Sequence, residues 1–401
     1  MLQSPVALYR NAYAGLATPV WWISLVMLVN RAGTMVIPFL TVYLTMELNF
    51  TIAQAGLVMG MFGAGSILGA FIGGRLTDKI GFYAIQFWSL FLNGIFFIIL
   101  GQMHTLLQFG ACIFILSAVG EGFRPANGAA IAFYSKAENR TRSYSLNRLA
   151  ANLGWSIGPA TGGILAGISY QLLFWVDGFS CIFAAILLRI CLKPVKVTGP
   201  KKEVRKIIDP ATSAYRDKVY LRFMFLVFLV AICFLQMFSI LPLYYKEVIH
   251  MKESTIGMVI GMNGLIIAAI EMVLIYTLEG RRNMYHYMSF GAFLIGLAYL
   301  LFNIGGGLLP IVFISMIVIT FGEMFLLPFI NTFWVSRSKE HNRGQYAALY
   351  TIAFASANVV APTLGSQVVN LYGFNVWWYI VFFICAFAAV CFYLLRSTPT
   401  N

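Results

Sequence analysis

The stretch Ser117–Ala130, SAVGEGFRPANGAA, sets an acid and a base, Glu121 and Arg124, inside a run otherwise apolar enough for lipid. Positions i and i+3 of a helix share a face, and charges at membrane depth are costly unless they face a bundle interior or a water-filled cavity. Arg31, Glu271 and Glu323 stand in comparable apolar surroundings. Two kinds of chemistry are open to such groups. One is structural: Glu121 forms a static ion pair with Arg31 or Arg124 and locks helices together. The other is proton traffic. Desolvation favours the neutral form of a carboxylate, so Glu121, Glu323 and Glu271 are candidates to load and release protons. Glu323 has no base near it in sequence. Arg31 and Arg124 then either tune these acids or contact an anionic group of a substrate.

Asn127 and Asn331 are candidate substrate contacts, with Asn147, Asn152, Gln236, Asn263 and Asn358 beside them; each could equally bond across helices. Tyr43 and Tyr244, with Tyr346 and Tyr350, are candidate cavity linings, although aromatic side chains in helices also serve packing. The turn Gly74-Arg75-Leu76-Thr77-Asp78-Lys79-Ile80-Gly81 reads as a gate: its glycines permit a tight turn, and Asp78 can latch a neighbouring helix N-terminus or pair with a base. A plain charged turn is the other reading. The run Gly154-Trp155-Ser156-Ile157-Gly158-Pro159-Ala160-Thr161-Gly162-Gly163 allows close helix contact, with a bend at Pro159. Gly65, Gly69 and Gly73 repeat the small-residue spacing, where packing alone explains it.

No nucleophile–base–acid set, HExxH motif or phosphate-cradling glycine loop occurs, so the chain does not read as an enzyme. His104, His250, His286 and His341 lie near the ends of apolar runs, and the six cysteines show no CxxC spacing, so neither a metal site nor a disulfide frame is expected. No cofactor is implied; with no nucleotide-binding motif, the power source must be a gradient, and protons suit the acids.

The elements that hold these residues follow from composition. The 401 residues are 60% hydrophobic and only 10% charged, with mean hydropathy +0.82, against about 25% charged in soluble domains. The apolar runs are long and broken by Gly and Pro, which excludes the short alternating strands of a membrane barrel and leaves helices. Spans are expected near 19–46, 53–75, 83–103, 106–133, 143–168 and 171–191, then 220–248, 254–277, 283–303, 308–335, 343–370 and 375–396. At about 20 residues per span, that makes about twelve helices. The expected organisation is a six-helix bundle over 1–191, a polar linker over 192–219 and a second bundle over 220–401. Residues 1–18 carry no cleavable signal pattern and suit a short interfacial helix through Leu8, Tyr9 and Tyr13.

The net charge of +13 sits on one set of loops: Arg75, Lys79, Lys136, Arg140, Arg142, the Lys- and Arg-rich linker, Arg281, Arg282, Arg337, Lys339, Arg343 and Arg396. The other loops carry Lys246 and Lys252, offset by Glu247 and Glu253. By the positive-inside rule both termini and the linker face the cytoplasm. No aromatic platform interleaves the basic residues, so nucleic acid is not an expected partner.

The halves read as copies. Tyr43, Gly56 and Gly60 match Tyr244, Gly257 and Gly261, each 201 positions on. Gly120-Glu121 matches Gly322-Glu323 at 202, and Arg140, Pro159 and Gly162 match Arg343, Pro362 and Gly365 at 203. Repeats related by an axis along the membrane normal place a binding site between them near the midplane.

With these residues in place, the chain resembles the major facilitator superfamily over nearly its whole length. Gly74–Gly81 is similar to that family's signature loop, although Phe82 and Tyr83 stand where a basic pair is usual, and the matching loop Leu278–Asn283 is degenerate. The GWSIGPATGG run is similar to the antiporter motif of drug–proton exporters. Arg124-Pro125 and Gly322-Glu323…Pro328 also resemble proton-coupled oligopeptide transporters, but Asn30-Arg31-Ala32-Gly33 lacks that family's helix-one acids. The resemblance implies alternating access by rocking of the halves. The expected protein is a monomeric, multi-pass transporter of the plasma membrane (the inner membrane if bacterial). It exchanges protons for small amphipathic molecules or drugs, using Glu121 and Glu323 for protons. A proton symporter importing peptides or other zwitterions is the main alternative. A sensor or scaffold that kept the fold but lost transport is a third class.

Overall fold

The computed structural model describes residues 15–136, 139–194, 213–278, 281–305, 308–338 and 342–395. The interfacial helix expected at the start, the linker lysines between 195 and 212, Lys339 and Arg396 lie outside the described residues. The described chain is helical. We label its spans α1 (Thr18–Ala32, resuming as Val36–Met46), α2 (Ile52–Ile80), α3 (Phe82–Leu100), α4 (Leu106–Gly120, resuming as Phe123–Tyr134), α5 (Arg140–Ala166) and α6 (Gln171–Cys191). The second half supplies α7 (Lys218–Glu247), α8 (Glu253–Leu278), α9 (Met284–Ile304), α10 (Leu309–Arg337), α11 (Arg343–Tyr372) and α12 (Phe374–Leu395). Eleven of these are long and apolar enough to cross a membrane. The twelfth, α5, is more polar because it carries Arg140, Arg142, Asn147, Arg148 and Asn152.

Local chemistry starts these helices where the sequence allows it. Thr51 with Gln54 and Thr105 with Gln108 form capping boxes at the heads of α2 and α4. Asn283 caps α9 and Asp217 caps α7. Gly81, at φ +94°, ends α2 and begins α3, a turn that a side chain would strain.

The repeat is visible in backbone detail. α1 ends with the amides of Leu48 and Phe50 donating to the carbonyls of Tyr43 and Leu44, around the left-handed Asn49. α7 ends with the amides of Ile249 and Met251 donating to Tyr244 and Tyr245, around the left-handed His250, each residue 201 positions on.

The first and fourth spans, expected as continuous, are each interrupted. In α4, Pro125 has no N–H to give the carbonyl of Glu121. That carbonyl instead accepts from Arg124 at 3.3 Å, and the helix turns at Glu121–Gly122. In α1 the break at 33–35 is nested between neighbours. A Cβ on Gly158 of α5 would lie 2.6 Å from the Thr34 carbonyl oxygen, and one on Gly33 would overlap Ser180 of α6.

The halves meet along two antiparallel pairs, α2 with α11 and α5 with α8, and where α1 crosses α7. The pairs mirror each other. A Cβ on Gly257 would strike the carbonyl of Pro159, as one on Gly56 would strike that of Pro362. Farther along, Gly264 lies against Asn152 of α5 and Gly63 against Asn358 of α11. Small residues let backbones touch without any hydrophobic drive between helices. Three polar contacts tie the face remote from the basic loops: Tyr170 to Glu253 at 3.0 Å, Glu253 to Lys246, and Thr41 to the Ser239 carbonyl at 2.7 Å.

Candidate functional site

The bend in α4 positions the first acid. Glu121 is the last residue carried by the first segment's ladder, and its carboxylate turns onto Arg124 at 3.3 Å. The acid thus takes Arg124 as its salt-bridge partner rather than Arg31. Arg31 instead lines a cavity of about 70 Å³ that Glu121, Arg124, Asn30, Asn93 and Asp177 also border. Although it sits mid-span, the Arg124 side chain is 70% exposed while that of Glu121 is 18% exposed. The base therefore projects into open space, tethered to a largely covered acid.

Asp177 of α6, which the sequence reading does not single out, is buried and carries the break in α1. Its two carboxylate oxygens accept from the backbone amides of Met35 at 3.0 Å and Val36 at 2.8 Å. The first amides of a helix have no intrahelical partner, and a carboxylate there is favoured by the helix dipole. An acid within an apolar run was the available signal.

In the second half, Glu323 of α10 accepts from the side-chain amide of Asn263 at 3.0 Å, and the same amide reaches Thr320 at 3.1 Å. No cation among the described residues lies within ion-pair distance of Glu323. Glu271 of α8 is paired instead: Arg148 of α5, another residue the sequence reading passes over, reaches it at 3.2 Å across the junction of the halves. Glycines place both acids of the repeat alike. Gly120, before Glu121, packs on Asn93 of α3, and Gly322, before Glu323, packs on Gly291 and Ile295 of α9.

Other expected residues fall elsewhere. Tyr43 is buried in a ring cluster with Phe109, Tyr170 and Phe174, and Tyr244 in another with Phe302, Phe374 and Trp378. Both are buried at the helix ends remote from the basic loops, and neither borders the Arg31 cavity or the larger one flanked by α9, α10 and α12. Asn127 is buried and accepts from Gln86 at 3.3 Å, a bond between α4 and α3 rather than a free polar group. Asn331 is exposed and accepts from the Trp334 indole at 3.1 Å. Trp334 stacks on Tyr350 with ring centres 6.0 Å apart, joining α10 to α11.

Among the gate residues, Asp78 is exposed and has no hydrogen bond or ion pair to a described residue. Gly74 approaches Pro125 at the α4 bend, and Gly81 makes the turn. Gly158 and Pro159 join three helices: the glycine seats α5 on the break in α1, and the proline carbonyl meets Gly257 of α8.

Outside the spans, Asp217 ends the linker on the second half. Arg337 grips it bidentately, and Tyr346 donates to it at 2.8 Å. Burial disfavours its charge, but the bonds from Arg337, the Tyr220 amide and Tyr346 prevail and hold its carboxyl below the usual carboxylate range.

Two pseudo-symmetric six-helix halves, with polar groups buried at the junction, define a secondary membrane transporter. The chain belongs to the major facilitator superfamily, whose profile matches residues 23–362. A Na(+), Li(+), K(+)/H(+) antiporter of Planococcus maritimus is 24% identical over 384 residues, covering 88% of this chain and 89% of the relative. The quinolone resistance protein NorA of Staphylococcus aureus is 28% identical over 170 residues, 42% of each chain. A peptide transporter, POT, crystallised with sulfate, superposes with a TM-score of 0.81 over 96% of this chain and 95% of its own, at 14% identity. That likeness is one of fold.

Proposed function

We propose that this transporter is a proton-coupled antiporter that exports small amphipathic molecules across the plasma membrane, acting as a monomer with both termini in the cytoplasm. Residues 1–191 and 220–401 are the two rocking bundles, and 192–219 is the linker between them. With the basic loops inside, the far face is tied by the Tyr170–Glu253 bond, while Arg124 and Asp78 are exposed on the inner side.

The observation that carries this reading is the setting of Glu323. A half-buried carboxylate whose hydrogen-bond partner among the described residues is the neutral Asn263 can gain or lose a proton without breaking a salt bridge. In the other half, protonation of Glu121 loosens its hold on Arg124 and frees that guanidinium for a substrate's anionic or polar group. The stacked Trp334 and Tyr350 supply an apolar wall for the rest of the molecule. The whole-length likeness to a cation–proton antiporter and the partial likeness to an efflux pump both favour exchange. Arg31 and Arg124 beside Glu121 disfavour an alkali cation at that acid.

The test is flux in proteoliposomes under an imposed pH gradient, with fluorescent amphipathic dyes, dipeptides and Na⁺ as separate arms. Dye moving against the proton flow, with coupling abolished in Glu323→Gln while dye exchange without a gradient persists, is the expected result. Dipeptide accumulation in the direction of proton flow would replace antiport with symport. Exchange confined to Na⁺ would reassign the cargo.

A further inference from the structure

A second concavity lies away from the junction, on the outer flank of the second half. It has a volume of about 960 Å³ and is walled by α9, α10 and α12, at the upper end of the range of built small-molecule sites. Its mouth and depth differ in chemistry. Arg281 and Arg282, in the α8–α9 turn, stand at the mouth. Both are exposed and neither forms an ion pair with a described residue. Below them the walls are apolar: Phe290 and Phe293 on α9 face Ala386 and Val390 on α12.

The depths of the two walls agree. At 1.5 Å per residue, Phe290 and Phe293 lie about 9 and 14 Å in from the start of α9, and Val390 and Ala386 about 8 and 14 Å in from the end of α12. The groove exists because α12 presents alanines, Ala386 and Ala389, between larger neighbours. Phe290, Phe293 and Val390 are 49, 41 and 59% exposed, so the walls are open along the bilayer side.

We propose that this groove is a binding site for one anionic phospholipid, its phosphate held by Arg281 and Arg282 and an acyl chain laid between α9 and α12. A guanidinium pair suits a phosphate diester, since its planar donors pair with two oxygens at once. Basic pockets between helices at the headgroup level select anionic lipids. A lipid in this groove would touch α9, α10 and α12 together and brace the second half during rocking.

The experiment is a lipid titration of the full-length protein in detergent, read by thermal unfolding and by native mass spectrometry. Phosphatidylglycerol, phosphatidylcholine with the same chains, and inorganic phosphate are the three probes. Phosphatidylglycerol is expected to bind and stabilise, and phosphatidylcholine to do so at least about tenfold more weakly, the loss expected when the arginine–headgroup attraction is not matched. The Arg281→Gln/Arg282→Gln double variant should lose the preference, and Ala386→Leu, which fills the groove beneath intact arginines, should weaken both lipids. Equal binding of the two lipids, or a preference unchanged in the double variant, overturns the proposal. Stabilisation by inorganic phosphate to the same extent also overturns it, because the apolar groove would then contribute nothing.

Discussion

Arg148 of α5 pairs with Glu271 of α8 at 3.2 Å, an ion pair that joins the two halves of the molecule about 11 Å in from their basic ends. The other three salt bridges among the described residues stay within one half. This tie lies beyond the last close glycine contact of the pair, Gly264 on Asn152, so here side chains rather than backbones hold the halves. Any motion that opens α5 from α8 must break it.

Glu271→Gln should therefore shift the resting balance between inward- and outward-open states. The Arg148 side chain is 46% exposed and that of Glu271 is 11% exposed, so the effect falls between that of an exposed and a buried pair, about 1–2 kcal/mol. Labelling of cysteines introduced on the two faces reads the balance. The charge-swapped Arg148→Glu/Glu271→Arg protein should return to the parent pattern. Failure of the swap to restore it, with the single variant altered, would show that Glu271 acts through something other than this pair.

Removal of the α1 support should cost stability. Asp177→Ala leaves the amides of Met35 and Val36 without acceptors in a buried site, at about 1–3 kcal/mol for each buried group left unmade. Asp177→Asn keeps one acceptor oxygen and should lose about half as much. Thermal unfolding in detergent measures both, and an alanine variant as stable as the parent would mean the break in α1 is held by packing against Gly158 and Ser180 alone.

Asp217 predicts an acid limb. Its carboxyl is held below its ordinary value by Arg337, the Tyr220 amide and Tyr346 against the opposing effect of burial. A depressed folded-state value means the stabilisation is fully present above the unfolded value of about 3.9 and is lost as pH falls through the lower, folded one. Unfolding temperatures between pH 6 and 3 should show this fall in the parent and a flatter profile in Asp217→Asn, which should also be less stable at neutral pH. Parallel acid limbs in the two proteins would remove Asp217 as the cause.

Much of the site was legible from charge in an apolar context. Glu121, Arg124, Glu271 and Glu323 announce themselves because lipid-facing sequence does not tolerate them, and the 201–203 offset pairs the acids of the two halves. The same rule applied to Asp177 and Arg148 would have found them. It could not have told their work apart, since one caps a broken helix and the other bridges two bundles. Tyr43 and Tyr244 show the reverse case: repeat symmetry marks them, but only their ring neighbours reveal that the symmetry preserves a packing cluster.

The sequence by itself determined the class of molecule. Long apolar runs must become helices in lipid because every backbone group needs an internal partner, and an internal repeat doubles whatever bundle forms. The break at Glu121 was also written locally, in the missing N–H of Pro125. Only the tertiary structure decided the partners. Glu121 chose Arg124 over Arg31, Glu323 met the neutral Asn263, and Glu271 met Arg148 from the other half. Hydrogen bonds and ion pairs act over about 3 Å, and which side chains come within that distance of one another depends on how whole helices pack.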